Sequence, residues 1–459
     1  MTRNFDAIVI GTGQAGPPLA ARLADAGMKV AVIERGKFGG TCVNTGCIPT
    51  KTLVASARAA HVARHAGEFG VKSRGAVAVD MKKVKARLDR IAGGGSAGIR
   101  RWMEGTKGVT VIKGHARFTG PKTVAVRNRR LAAERIFINV GGRALVPDMP
   151  GLKDVPYLTN STMLAVDFLP RHLVVIGGSY IGLEFAQMYR RFGSRVTVVE
   201  KGPRLIGRED PEVSGAVRKI LEAEGIAVRL DAECLSVKRR GKGVAVSLDC
   251  RRGARTVAGS HLLMAVGRVP NTDDLGLDAA GVKVDKRGYI TVDDELRTNV
   301  PGIWALGDCN GRGAFTHTSY NDYEIVAENL LDGGKRRLSD RIPAYALYID
   351  PPLGRAGMND DEARKSGRKV LVGRMDMRSI GRARERSETA GLLKILVDAD
   401  SQRMLGASFL GIEADELVQS LLGLMYADQP YTLIQRAMYI HPTVSEYLPT
   451  LVGDLEPLE

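Results

Sequence analysis

Two stretches of this chain are built on one plan. Residues 5–34, FDAIVIGTGQAGPPLAARLADAGMKVAVIE, run from an apolar segment through a glycine turn into a helical periodicity and out into a second apolar segment. Residues 173–200, LVVIGGSYIGLEFAQMYRRFGSRVTVVE, do the same. Each landmark is displaced by the same 166 residues: Gly11 to Gly177, Gly16 to Gly182, Glu34 to Glu200. Strand, tight turn, amphipathic helix and strand make a βαβ unit, whose strands lie parallel under a crossing helix. Two such units restrict the chain to an α/β fold with two parallel sheets. At 459 residues there is room for roughly three domains, so a further unit is expected.

The glycines say what the turns are for. Gly11, Gly13 and Gly16 follow an apolar strand and open a helix, and Glu34 ends the next strand. That spacing lets a backbone approach a pyrophosphate resting on the helix N-terminus, while the acidic side chain accepts hydrogen bonds from a ribose. Pro17 and Pro18 fit the first helical turn, whose N–H groups have no partners within the helix. The second unit reads Gly177-Gly178-Ser179-Tyr180-Ile181-Gly182, with Ser179 where the middle glycine belongs. Either the backbone keeps a little more distance from the phosphates or the Ser179 hydroxyl binds them itself. Glu200 favours a free 2′-hydroxyl and so NAD(H); Lys201 and Arg204 close by leave NADP(H) open. The fold expected is therefore α/β with two Rossmann-type dinucleotide-binding domains.

Composition removes several classes. Apolar residues at 44% and charged residues at 26% describe a globular chain with a large core. No apolar run reaches the roughly 18–20 residues of a membrane span, and the N-terminus lacks a signal-peptide core, so a soluble, cytoplasmic protein without membrane partners is expected. Five cysteines are too few and too scattered for a secreted disulfide scaffold. Of the net charge of +16, most falls between Arg58 and Arg135, with nineteen Lys/Arg against five Asp/Glu. With few aromatics and no nucleic-acid-binding motif there, it reads as a solvated face that can steer anions, and nucleic acid is not expected as a partner.

Along the chain, residues 52–104 read as mainly helical with a break at Gly93-Gly94-Gly95-Ser96. Short strands follow at 109–112, 123–126 and 135–140, and the Gly/Pro-rich stretch 141–151 reads as a crossing between domains. GIWALGDC (302–309) looks like a strand returning to the first domain. The expected division is 1–148 and 266–338 for the first dinucleotide-binding domain, 149–265 for the second, and 339–459 for an α+β domain without a nucleotide fingerprint.

Cys42 and Cys47 lie in GGTCVNTGCIPTK, residues 39–51, just after the first βαβ unit. The spacing is not that of a zinc site. In a regular helix, positions five apart are roughly 8–9 Å apart at Cα, beyond the ~7 Å limit for a disulfide. A bridge therefore requires a distorted turn, which Gly46 permits. A thiolate at a helix N-terminus beside Lys51 is stabilised, as redox chemistry requires.

Both fingerprints, GGTCVNTGCIPTK, AVGRVPNT (265–272), GIWALGDC and HPTVSE (441–446) together resemble the class I pyridine nucleotide-disulfide oxidoreductases, over essentially the whole chain. These flavoproteins include dihydrolipoamide dehydrogenase, glutathione reductase and mercuric reductase; the likeness is greatest to the mercuric-reductase-like and reactive-chlorine-resistance branch. The resemblance implies that the last domain is a dimerisation domain and that FAD and NAD(H) or NADP(H) are the cofactors. Gly11, Gly13, Gly16, Glu34, Thr41, Gly141 and Asp308 would hold FAD, and Gly177, Gly178, Ser179, Gly182, Glu200 and Gly267 the nicotinamide dinucleotide. Cys47 would face the flavin and Cys42 would attack the substrate. Lys51 would sit by the flavin, paired with Glu184, and Tyr180 would cover the nicotinamide pocket. His441 and Glu446 match an acid–base pair supplied by the neighbouring subunit, which implies an obligate homodimer and, at His441-Pro442, a cis bond. Such a pair suits the chemistry, because a thiolate leaving a disulfide must be protonated near neutral pH.

The relay implied runs from NAD(P)H through FAD to a Cys42–Cys47 disulfide and on to a small-molecule or metal-ion substrate. Absences narrow it. No cysteine follows Cys309, so the C-terminal thiols of mercuric reductase are missing. Tyr439 stands where dihydrolipoamide dehydrogenase carries another histidine, and Glu200 disfavours a glutathione reductase. The expectation is an oxidoreductase acting on a disulfide, or on a thiol-reactive oxidant or metal ion such as Hg(II) or Cu(II), which the soft thiolates could hold. A dihydrolipoamide dehydrogenase of a multienzyme complex is the alternative, and a basic nucleic-acid-binding protein the remote one. Cys234, Cys250 and Cys309 read as small buried residues, His61 and His65 as a helix face, and Asp360, Asp361 and Glu362 as a helix start.

Overall fold

The computed structural model describes residues 2–72, 75–250 and 253–459, so Arg74 of the basic stretch lies outside the described residues. Strands Val109–Lys113, Val30–Glu34, Thr2–Ile10 and Arg129–Ile138 form a parallel core, extended in antiparallel fashion by Thr123–Val126 and Ala116–Gly120. Ile303–Ala305 pairs in parallel with Arg129–Ile138, so chain beyond the second βαβ unit returns to the first sheet. The second parallel sheet runs Ala227–Arg229, Arg195–Val199, His172–Ile176, His261–Met264. The third, antiparallel throughout, contains Ala344–Leu347, Leu353–Gly357, Met404–Leu410, Leu392–Asp398, Val370–Asp376 and Leu455–Pro457. Strands buried on both faces read as continuous apolar runs, as AIVI (7–10) and LVVI (173–176) do. Among the described residues, no helix is long and apolar enough to cross a membrane.

Gly11 and Gly177 occupy the same place in the two units. Both have positive φ (102° and 110°), and a Cβ at either would stand 2.3 Å from a backbone oxygen, that of Asn139 or Ala265. No side chain fits such a turn.

One local expectation is corrected, the break at Gly93-Gly94-Gly95-Ser96. The stretch 52–104 is mainly helical, as expected: helix Cys47–His65 passes into a short 3₁₀ turn, Ala66–Phe69, and the next helix, Met81–Gly105, begins after Asp80, whose side chain accepts from the Lys83 N–H. That second helix then runs straight through Gly93-Gly94-Gly95-Ser96. Each helical glycine costs roughly 1 kcal/mol against alanine, but the loop before the cysteines packs closely on this stretch. Ser96 Oγ donates to the Phe38 carbonyl at 2.8 Å, and a Cβ on Gly95 would stand 3.2 Å from Val43. Cys309 is buried as expected, but Cys234 and Cys250 are only half-buried. Asp360 does begin a helix, Asp360–Lys365, capped by Asn359.

Candidate active site

Cys42 lies in the short helix Gly40–Asn44 and Cys47 opens helix Cys47–His65. The chain bends between them at Gly46 (φ −136°, ψ −117°), where a Cβ would press on the Thr41 carbonyl at 2.9 Å. This is the distorted turn that the spacing requires. Both cysteines are free thiols, the reduced form of the pair. Cys47 is brought down from 9.0 to about 6 by a hydrogen bond from Cys42, with the Thr316 hydroxyl and the Lys51 charge adding to it and burial opposing. Cys42, which keeps the shared proton and is itself partly desolvated, is pushed well above the ordinary thiol range. The pair therefore ionises at Cys47 first.

The surroundings come from every part of the fold. Thr316 Oγ1 stands 3.0 Å from Cys47 Sγ. Lys51, one turn into the thiol-bearing helix, donates to both oxygens of Glu184 at 2.6 Å, on helix Tyr180–Phe192 of the second unit. Its ammonium lies 4.5 Å from the centre of the Tyr348 ring, and the Tyr348 N–H donates to Glu184 at 3.1 Å. Arg58, on the same helix as Cys47, pairs with Asp350 at 2.7 Å and Glu388 at 2.5 Å, tying that helix to the chain around the third sheet.

A cavity of about 800 Å³ joins these groups. Gly11, Gly13, Glu34, Thr41, Cys42, Cys47, Lys51, Gly141, Asp308, Tyr180 and Glu184 line it, bringing the first fingerprint and the thiol pair to one space. Gly16 is buried behind the turn, against the Gly11 carbonyl. Burial pushes the Asp308 carboxyl up, against the pull of Arg268 at 3.7 Å. The amide nitrogen of Asn139 is buried in the wall with no hydrogen-bond partner among the described residues, a donor free for a ligand.

The two acidic landmarks do the same work. Glu34 accepts from the Thr12 N–H at 3.0 Å and the Gly36 N–H at 2.6 Å; Glu200 accepts from the Gly178 and Gly202 N–H groups, each at 2.7 Å. Ser179 is exposed at the N-cap of helix Tyr180–Phe192 and makes no capping bond. Gly182 packs on the Gly177 carbonyl, and Gly267 (φ 140°) lies exposed just after Ala265 and Val266. Tyr180 packs edge-on against Phe315 and Tyr345.

His441 and Glu446 do not line this cavity. His441 Nδ1 lies 2.8 Å from Glu446 Oε2, its side chain is 80% exposed, and its bond to Pro442 is cis. His61 and His65 meet on a helix face with ring centres 4.1 Å apart and planes tilted by 34°, and no cluster suited to a metal ion occurs among the described residues.

Residues 5–322 match the family described as pyridine nucleotide-disulphide oxidoreductase, and residues 343–452 match the dimerisation domain of the same family. The chain belongs to that family. A probable pyridine nucleotide-disulfide oxidoreductase, RclA, of Escherichia coli is 37% identical, covering 97% of this chain and 98% of the relative. A dihydrolipoyl dehydrogenase of Thermus scotoductus is 34% identical (97% and 96%) and a mercuric reductase of Streptomyces lividans 32% identical (97% and 95%). Among solved structures, a Cu(II) complex of the HOCl-induced flavoprotein disulfide reductase RclA from Escherichia coli superposes with a TM-score of 0.90 at 35% identity, covering 99% of both chains. The family is FAD-dependent and uses NAD(P)H. The glycine turn, the unpartnered Asn139 amide and the adjoining thiols fit that flavin cofactor.

Sequence reading missed Thr316, Tyr348 and Asn139. None belongs to a local motif: Thr316 reaches Cys47 across 269 residues of chain.

Proposed function

We propose that this oxidoreductase uses the Cys42/Cys47 couple to pass the two electrons of NAD(P)H to a thiol-reactive acceptor, foremost a metal ion such as Hg(II), which takes both, or Cu(II), two ions of which take one each. One observation carries the reading: a thiol pair, biased to ionise at Cys47, stands in the wall of the cavity that the first fingerprint also lines. Gly11, Gly13, Gly16, Glu34, Thr41, Gly141, Asn139 and Asp308 hold FAD, which when bound supplies two-electron exchange between the nicotinamide and the sulfur pair. Cys42, the protonated partner, engages the acceptor and gives up its proton as it does so; Cys47 keeps its charge through Thr316 and Lys51. Two thiolates are soft ligands for such an ion, and the likeness to a protein solved with Cu(II) supports that class of acceptor.

Glu200, held by two backbone N–H groups, is an acidic side chain closing the second unit, which favours a free 2′-hydroxyl over a 2′-phosphate and so NADH as the donor. Strand pairing of Ile303–Ala305 with Arg129–Ile138 supports a first domain of 1–148 with 266–338; 149–265 and 339–459 are the other two. His441, with Met438 98% and Ile440 79% exposed beside it, forms a surface for a second copy in an obligate homodimer, where the imidazole serves the partner's thiols as acid and base.

A panel of lipoamide, oxidised glutathione, Hg(II) and Cu(II) with NADH and NADPH tests this. Cu(II) or Hg(II) turnover with NADH is expected; fast reversible turnover of dihydrolipoamide with NAD and none with metal ions would replace the reading by a lipoamide dehydrogenase. Cys42→Ser should abolish acceptor reduction while leaving flavin reduction by NADH. His441→Ala should lower disulfide turnover by roughly 10²-fold or more and metal-ion turnover less, since no thiol leaving group then needs a proton. Normal turnover in both variants refutes the relay.

A further inference from the structure

Glu209, in the segment between strand Arg195–Val199 and helix Pro211–Ala223, carries a carboxylate only 1% exposed. A buried carboxylate must be paired or hydrogen-bonded to be tolerated. Its Oε1 accepts from the Tyr180 hydroxyl at 2.8 Å and from the Tyr345 hydroxyl at 2.7 Å. Its Oε2 has no hydrogen bond among the described residues and faces Arg355 at 3.9 Å. Arg355 and Tyr345 lie on strands Leu353–Gly357 and Ala344–Leu347 of the third sheet. The neighbouring Asp210 is pinned to the same sheet by Lys394 at 2.6 Å, which also holds Asp360 at 2.7 Å and Glu212 at 2.8 Å. Glu209 is therefore fixed, while Tyr180, half-buried in the cavity wall, meets Phe315 and Tyr345 edge-on and Tyr345 also through its hydroxyl. The bond to Glu209 is its tie to a carboxylate.

We propose that Glu209 is a positioning residue, the latch that holds Tyr180 across the nicotinamide pocket and sets what opening that pocket costs. This rests on the reading of Tyr180 as the pocket's cover. A hydrogen bond to a carboxylate is about twice as strong as one between neutral groups, and swinging Tyr180 aside leaves Tyr345 as the direct donor to a buried charge. A ligand that needs the open state binds in proportion to the fraction open. Weakening the latch therefore tightens binding of any dinucleotide with a nicotinamide ring. Removing the Tyr345 hydroxyl does the reverse, because opening then strips the carboxylate of its last hydrogen-bond donor.

Calorimetric titration of the flavin-loaded dimer with NAD⁺ and with ADP-ribose tests this, since ADP-ribose fills the adenosine half without a nicotinamide ring. Glu209→Gln and Tyr180→Phe should each lower the NAD⁺ Kd about five-fold, the double variant no further, and Tyr345→Phe should raise it about five-fold. ADP-ribose affinity should not move. The latch is overturned if Glu209→Gln shifts both ligands alike, or leaves NAD⁺ unchanged while Tyr180→Phe tightens it. If Tyr180→Phe leaves NAD⁺ binding unchanged, the cover reading itself fails and the latch with it. Should Glu209→Gln not fold, Tyr180→Phe and Tyr345→Phe still decide: shifts of the same sign refute the latch.

Discussion

Removing the Thr316 hydroxyl should raise the pH at which Cys47 becomes a nucleophile. The thiol falls from 9.0 to about 6 in the fold, which at 1.36 kcal/mol per tenfold change amounts to about 4 kcal/mol of preference for the thiolate. Four groups supply it: the Cys42 thiol, the Thr316 hydroxyl at 3.0 Å, the Lys51 ammonium and the backbone N–H of Cys47 itself. A hydrogen bond to a charged acceptor is worth roughly 1.5–3 kcal/mol, so Thr316→Val should move the half-point from near 6 to roughly 7–8. Lys51 matters less than its charge suggests, because both Glu184 oxygens lie 2.6 Å from it. Taking the ion pair away whole, with Lys51→Met and Glu184→Gln together, removes a nearly neutral unit and should shift the half-point less than Thr316→Val does. The assay is iodoacetamide alkylation against pH, read at the Cys47 peptide by mass spectrometry in a Cys42→Ser background, where the serine hydroxyl still donates. A background half-point near 9, or one that ignores Thr316→Val, refutes the account of the thiolate.

The same group makes the stability of the reduced protein depend on pH. Cys47 ionises more readily folded than unfolded, so its contribution is complete above about pH 9 and is lost as pH falls toward about 6. The gap in thermal stability between reduced wild type and Cys47→Ser should therefore widen from pH 6 to 9, by up to about 4 kcal/mol; a constant gap would count against it. Elsewhere, Gly93→Ala and Gly94→Ala should each stabilise by ~0.5–1 kcal/mol, read from urea unfolding, since both positions are helical with open space around them. Gly95→Ala should gain less, its new methyl meeting Val43 at 3.2 Å. Destabilisation at both Gly93 and Gly94 would mean that the helix is broken there after all.

What the sequence disclosed follows from where the constraints lie. At Gly11 and Gly177 the backbone itself excludes a side chain, so the residue type is forced and a repeat can be read without any structure. The cysteine pair was legible because Cys42, Gly46, Cys47 and Lys51 lie within ten residues and act through one turn. The helix through Gly93 was not legible, because what holds it is the Phe38 carbonyl and Val43, some fifty residues earlier. Thr316, Tyr348 and Glu209 were hidden for the same reason. Each is an ordinary residue in its own neighbourhood and acquires a role only when the fold sets it against Cys47, Lys51 or Tyr180.

That distribution bears on how the sulfur pair is controlled. Cys42 and Cys47 belong to the first unit, and Thr316 to the chain that returns to it; Glu184 and Tyr180 come from the second unit, and Tyr348 and Tyr345 from the chain around the third sheet. A thiolate tuned by its own helix alone would keep its character however the units moved. Here the cation beside it is neutralised by a carboxylate on another unit, which in turn accepts a backbone N–H from a third. Any shift that draws helix Tyr180–Phe192 away from Lys51 frees a positive charge close to Cys47 and strengthens the thiolate. If Tyr180 covers the nicotinamide pocket, as proposed above, opening of that pocket begins on the same helix. On that reading, occupancy of the second dinucleotide site would bear on the ionisation of Cys47 through the Lys51–Glu184 pair, and a saturating dinucleotide should change the alkylation half-point of Cys47 even when no electron is transferred.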